Sequence, residues 1–346
     1  MEFLAEYGLF LAKSVTLVVA VIFVVGAVVS LNQKTKKHQR GDIEINNVNQ
    51  QVEKMQEVIE HEVHSKEWLK NRHKEEKKKA KQEKKKRKSE AGAKDDRQRI
   101  YVLNFDGDIR ASAVASLRHE ITAVLAVASE KDEVVLRLES PGGMVHGYGL
   151  AASQLQRIKS KGIPLTVCVD KVAASGGYMM ACLADKILAA PFAVVGSIGV
   201  VAQIPNFHKL LTKNNIDFEV LTAGEYKRTL TVFGENTDKG RQKFLEDLEE
   251  THVLFKNWVA EHRAEIDIEN VAKGEVWYGQ RARDKALVDE VQTSDDYIVG
   301  RCGEADVFEV KYHEKKNLAE KLGLSMATIF ETVGLRLSRW ISGPKH

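Results

Sequence analysis

A chain of 346 residues is long enough for one large domain or two ordinary ones, so its core needs no disulfides to stand. Its three cysteines are an odd number without metal-ligand spacing, and two lie in apolar runs, which argues against a disulfide scaffold, a metal site or a cysteine nucleophile. The net charge of +3 conceals an asymmetry, because lysines crowd residues 66–88 while the later chain is nearly balanced.

After a short tail, residues 1–6, the segment 7–31 is apolar apart from Lys13. As a helix its 25 residues would extend about 37 Å, enough to cross a bilayer. Glu2 and Glu6 in place of a basic cluster, and the length of the run, favour a transmembrane anchor over a cleavable signal peptide. Lys34, Lys36, Lys37 and Arg40 follow directly and favour a cytoplasmic C-terminal side, but a long following domain weakens that rule and the side stays open. Residues 32–99 read as a charged helical or disordered linker. Within it Ile45, Val48, Val52, Met55 and Ile59 fall at heptad spacing, a seam for a short coiled coil or for one amphipathic helix on its own domain. The lysine runs 74–79 and 84–88 suit a solvated tether or contact with anionic lipid headgroups. No aromatic residue is interleaved with the final lysines, so nucleic acid is not expected as a partner.

A folded domain is predicted over 100–310. Strands are expected at Ile100–Phe105, Val134–Leu138, Leu165–Val169 and Ile187–Ala190, with helices at Ala113–Ala128, Tyr148–Ile158 and Gly177–Leu183 between them. This alternation reads as an α/β domain with a mostly parallel sheet, whose ligands sit at the C-terminal ends of the strands. Two loops there are rich in glycine, Ser140-Pro141-Gly142-Gly143 and Ala174-Ser175-Gly176-Gly177. A serine between small residues, where a strand hands over to a helix, is placed either to cap the helix or to attack a bound carbonyl. Backbone N–H groups near Gly143 and Gly176 could share one point beside it, as an oxyanion hole requires. A serine needs a base. Of His119, His146, His208, His252 and His262, His146 is nearest to the glycine loops, but the sharper candidate is Lys227, after the strand-like run Phe218–Leu221. A lysine base must be neutral, so its proton affinity has to fall by several pK units, which burial can achieve. Residues 311–346 close the chain, with Leu318 to Ile341 predicted as an amphipathic helix for a membrane interface or a neighbouring subunit.

The ordered set Ser140-Pro141-Gly142-Gly143, Ala174-Ser175-Gly176-Gly177-Tyr178, Gly196-Ser197-Ile198-Gly199-Val200 and Gly224-Glu225-Tyr226-Lys227 resembles the signature of the SppA-type signal peptide peptidases. That resemblance implies a ClpP/crotonase-like fold and a serine–lysine dyad cleaving signal-peptide-like or other peptides at the membrane. It implies Ser175 as nucleophile, Lys227 as general base and Gly143 and Gly176 as oxyanion donors, with no cofactor and no metal. Gly196 to Val200 would shape the site. A bacterial inner-membrane location and a ring of copies, with Lys227 acting in cis or in trans, are further implications. Glu225 departs from the pattern, since an ionised carboxylate near the base would raise its proton affinity. An acyl-CoA enzyme of crotonase type and an inactive scaffold of the same fold stay as alternatives.

Overall fold

The computed structural model describes residues 7–13, 15–16, 41–72, 74, 77–78 and 97–314. Most of the expected anchor, the second lysine run and the expected C-terminal helix lie outside the described residues. Among the described residues, no helix is long and apolar enough to cross a membrane. Residues Ile43–Tyr312 make one compact unit.

That unit is built on a seven-stranded sheet. Its strands are β1 (Asp42–Asn47), β2 (Arg99–Asp106), β3 (Glu133–Glu139), β4 (Leu165–Val169), β6 (Lys186–Ala189), β9 (Glu290–Val291) and β10 (Asp306–His313), in the order β1-β10-β2-β3-β4-β6-β9. From β10 to β9 every pairing is parallel. In β3 Val134, Val135 and Leu136 are all buried, as expected of a parallel strand covered on both faces. One face presents Leu103, Leu136 and Val167 to Leu117 and Ile121 of α2 (Val114–Leu125) and to Leu155 and Ile158 of α3 (Val145–Lys159). The other presents Val102, Val135 and Leu188 to Ile298 of α7 (Ser294–Arg301).

A second sheet of three short strands stands beside the first: β5 (Val172–Ala174), β7 (Val194–Gly196) and β8 (Val276–Tyr278). β5 and β7 are parallel and β8 is antiparallel. Ser140 joins the two sheets through a parallel bridge to Ala173. Between β5 and β6 runs α4 (Gly176–Ala181). The long helix α6 (Asp238–His262), capped by the Thr237 hydroxyl on Gly240 N–H, lies against it: Trp258 Nε1 donates to Met179 O at 3.0 Å. This mixed architecture fits the expected ClpP-like fold.

Three expectations change. The sheet takes in residues N-terminal to Ile100, because β1 pairs at its edge and α1 (Val48–Val63) follows on. Asn49 of α1 fastens this segment, its amide donating to Cys302 O and Ala305 O and its carbonyl accepting from Val307 N. Ile45 of the heptad seam is therefore a strand residue, while Val48 packs on the sheet and Met55 and Ile59 stay exposed. The third change concerns Phe218–Leu221, which forms no strand. It belongs to an arm, residues 201–237, that contains the short helix α5 (His208–Lys213). Rings of Phe207, Phe218 and Phe233 and the Asn206 amide on Thr231 O and Gly234 O hold the arm together.

Candidate active site

Ser175 occupies the junction of β5 and α4 with φ 51° and ψ −118°. For a residue with a Cβ this left-handed backbone is strained by about 1–3 kcal/mol, a cost met at sites where the conformation is needed. The turn is pinned by Ser175 N–H donating to Gly196 O at 2.8 Å. Ser175 stands at the N-cap position of α4, but its hydroxyl makes no capping bond. Its residue is half-buried and faces a cleft of about 740 Å³.

The glycine loop after β3 closes on this turn. Gly142 has φ +90°, and a Cβ there would lie 2.8 Å from both Gly176 N and Ser175 Cβ, so only glycine permits the approach. A Cβ at Gly143 would lie 2.2 Å from Ile109 O, an even closer approach, and Met144 N–H donates to Ile109 O. Among the described residues, no protein group accepts from the N–H of Gly143 or of Gly176. Gly142, Gly143, Ser175 and Gly176 all line the cleft. Ile109, Val145, Met179 and Phe255 make much of its remaining wall apolar.

The Gly196–Val200 loop forms another side, with Ser197 at φ 52° and its N–H on Glu275 O. Lys227 is placed elsewhere. It ends a turn in the arm, donating N–H to Gly224 O, is exposed, and is not among the residues lining the Ser175 cleft. Glu225 turns to Lys239, whose ammonium and hydrogen bond hold its carboxyl below the usual carboxylate range, rather than to Lys227. His146 sits exposed on α3 and is also absent from the lining. Two other residues are present instead: Lys273, which the sequence did not mark, and His252, one of the histidines weighed as a base but not preferred. Lys273 comes from the loop before β8, and His252 from α6 with its Nε2 buried and unpartnered among the described residues. Both arrive by tertiary packing from far along the chain, and no local pattern marks either one. The buried thiols offer no rival nucleophile, since burial pushes both Cys168 and Cys182 up to about 12.

Sequence comparison decides the family. The profile of Peptidase family S49 matches residues 157–306, and that of its N-terminal region matches residues 2–155. The chain belongs to peptidase family S49. Over 327 residues it is 53% identical to the probable protease SohB of Haemophilus influenzae, covering 93% of this chain and 92% of that one. A probable protease SohB from Buchnera aphidicola subsp. Schlechtendalia chinensis is 48% identical over 305 residues, 87% of this chain and 100% of the relative. The putative signal peptide peptidase SppA of Enterococcus faecium is 28% identical over 187 residues, 53% of this chain and 54% of its own. The S49 match spans both glycine loops and the arm that carries Lys227.

Proposed function

We propose that this S49 member is a membrane-anchored serine endopeptidase that cleaves signal-peptide-like or other membrane-associated peptides. The observation that carries the reading is the strained Ser175 turn, opening on an apolar cleft between two unengaged N–H groups. In this reading Ser175 Oγ attacks the scissile carbonyl. A neutral Lys227 Nζ takes the hydroxyl proton, and Gly143 N–H and Gly176 N–H receive the developing oxyanion, each such donor contributing about 2.7–4 kcal/mol in the transition state. The lysine then protonates the leaving amine. Water, giving its proton to the same lysine, attacks the acyl carbonyl, and the lysine passes that proton to Ser175 Oγ as the acyl group leaves.

Lys227 is exposed in the single chain and lies outside the cleft lining, so in this reading the dyad is completed when a second copy brings its arm to the cleft. The exposed apolar residues Phe218, Val220, Leu221 and Tyr226 beside it suit burial in such an assembly, which would also desolvate the lysine. Residues 7–31 supply the anchor in a bacterial inner membrane, and the lysine-rich tether lies between it and the catalytic unit. No cofactor enters the reaction.

A second reading follows from Lys273, which among the described residues is the lysine lining the cleft within the same chain: it would act as base in cis. Labelling with a fluorophosphonate separates the two. Ser175→Ala and Lys227→Ala are expected to lose labelling entirely, while Lys273→Ala keeps at least about a third of the wild-type rate. Loss in Lys273→Ala with retention in Lys227→Ala would reverse the assignment, and an unlabelled wild type would leave a scaffold.

A further inference from the structure

The two candidate oxyanion donors lie on different loops, yet both loops rest on one buried side chain. Tyr148, in the first turn of α3, has no exposed surface. Its ring is the floor beneath Gly176, where a Cβ would come within 2.4 Å of Tyr148 Cγ. Its hydroxyl donates to Asp108 O at 2.8 Å, which engages the single phenolic hydrogen. Ser140 Oγ, 2.6 Å from the phenol oxygen, must then be the donor of that contact. The same Ser140 oxygen accepts from Gly142 N–H at 3.1 Å. Hydrogen bonds therefore run in one direction, from Gly142 through Ser140 and Tyr148 to Asp108, each polarising the next.

Ser140 also reaches the nucleophile's strand. It is fully buried, its N–H donates to Val172 O, and its carbonyl accepts from Ala174 N–H, the residue before Ser175. Gly177 packs on it so closely that a Cβ would meet Ser140 O at 2.6 Å. Burial raises the Tyr148 phenol above its ordinary range and keeps it protonated, the state in which it can donate and accept at once. A phenylalanine would fill the same space. The hydroxyl is what a packing role leaves unexplained.

We propose that Tyr148, acting through Ser140, is a positioning residue of the oxyanion hole: it sets the Gly142–Gly143 peptide against Gly176 so that both N–H groups face one point beside Ser175. This rests on the serine peptidase reading above. Tyr148 and Ser140 touch no substrate. Their effect is confined to interactions made when the carbonyl oxygen becomes an anion, so it belongs to kcat and not to binding.

The test compares Tyr148→Phe and Ser140→Ala with the wild-type full chain on a fluorogenic apolar peptide. Each is expected to lower kcat by about 10- to 100-fold, short of deleting a donor outright, with KM within about twofold. The rate of fluorophosphonate acylation should fall with kcat, as should affinity for a peptide aldehyde, whose adduct places an oxyanion in the hole. Affinity for the cleaved product peptide should not change. Because both variants remove links of one chain, the double variant should be no slower than the slower single one. If Tyr148→Phe does not fold, Ser140→Ala, which leaves the ring under Gly176, carries the test alone. Wild-type kcat in a folded variant would overturn the proposal, and so would equal losses in kcat and product affinity, which a merely structural role produces. A wild type unlabelled at Ser175 would remove the peptidase reading itself.

Discussion

At the scale of single residues, the site is specified by where a Cβ is forbidden and where one is forced. Gly142 and Gly176 sit where an added methyl would strike the Ser175 turn or the Tyr148 ring, while Ser175 keeps a positive φ despite its Cβ. The positive φ at Gly142 and Ser175 is local, so the glycine motifs were readable in the sequence, while the close approaches that forbid a Cβ come from residues some thirty positions away. The charged residues were not readable in that way. Asp132, which no motif in the sequence marks, is fully buried and accepts from Ser129 N–H, the Ser129 hydroxyl and Arg99. Burial alone would raise its pKa, but the hydrogen bonds from Ser129 and Arg99 outweigh it and the net shift is downward from 3.8. A depressed carboxyl contributes stability above its unfolded pKa, and that contribution is lost as pH falls through the lower folded value. Asp132→Asn is therefore expected to cost about 2–3 kcal/mol at pH 7 in urea unfolding. The difference from wild type should shrink below about pH 4. An unchanged difference at acid pH would show that the charge is not what matters.

Elements were legible in proportion to how much apolar surface they bury. β3 and β4 announce themselves as continuous apolar runs, and α2 and α3 by a stripe facing the sheet. β5 and β7, three residues each, are too short for any periodicity, and β1, with the sequence Asp-Ile-Glu-Ile-Asn-Asn, carries too much polar surface to stand out. What fixes β1 and α1 at the sheet edge is partly one side chain, Asn49, reaching three backbone groups near the end of the domain. Asn49→Ala should lower stability by about 2 kcal/mol, since it leaves those groups without their partner. Amide exchange should then speed up in residues 43–63 ahead of the rest of the sheet. Uniform exchange across the domain would mean that this segment is held by packing alone. Phe218–Leu221, apolar enough to read as a strand, forms none: Phe218 rests on Phe233 within the arm while Phe218, Val220 and Leu221 stay exposed.

For the whole molecule, the candidate nucleophile, base and oxyanion donors were all legible on one chain, but the sequence could not say that one chain would bring them together. Ser175, Gly143 and Gly176 meet because neighbouring strands of two bridged sheets deliver them. Lys227 stands outside the cleft lining, on an arm with several exposed apolar residues, and in the proposed account it reaches a cleft through a contact between copies that no residue pattern encodes. The proposed account therefore turns on a site shared between copies. Mixing Ser175→Ala protein with Lys227→Ala protein, each inactive alone, under conditions that let subunits exchange, tests this most directly. With the lysine supplied by a neighbour, random assembly at equal amounts should restore about a quarter of the wild-type sites to fluorophosphonate labelling and peptide hydrolysis. If the exchanged mixture stays as inactive as its components, Lys227 does not serve the Ser175 of another copy, and the account is wrong.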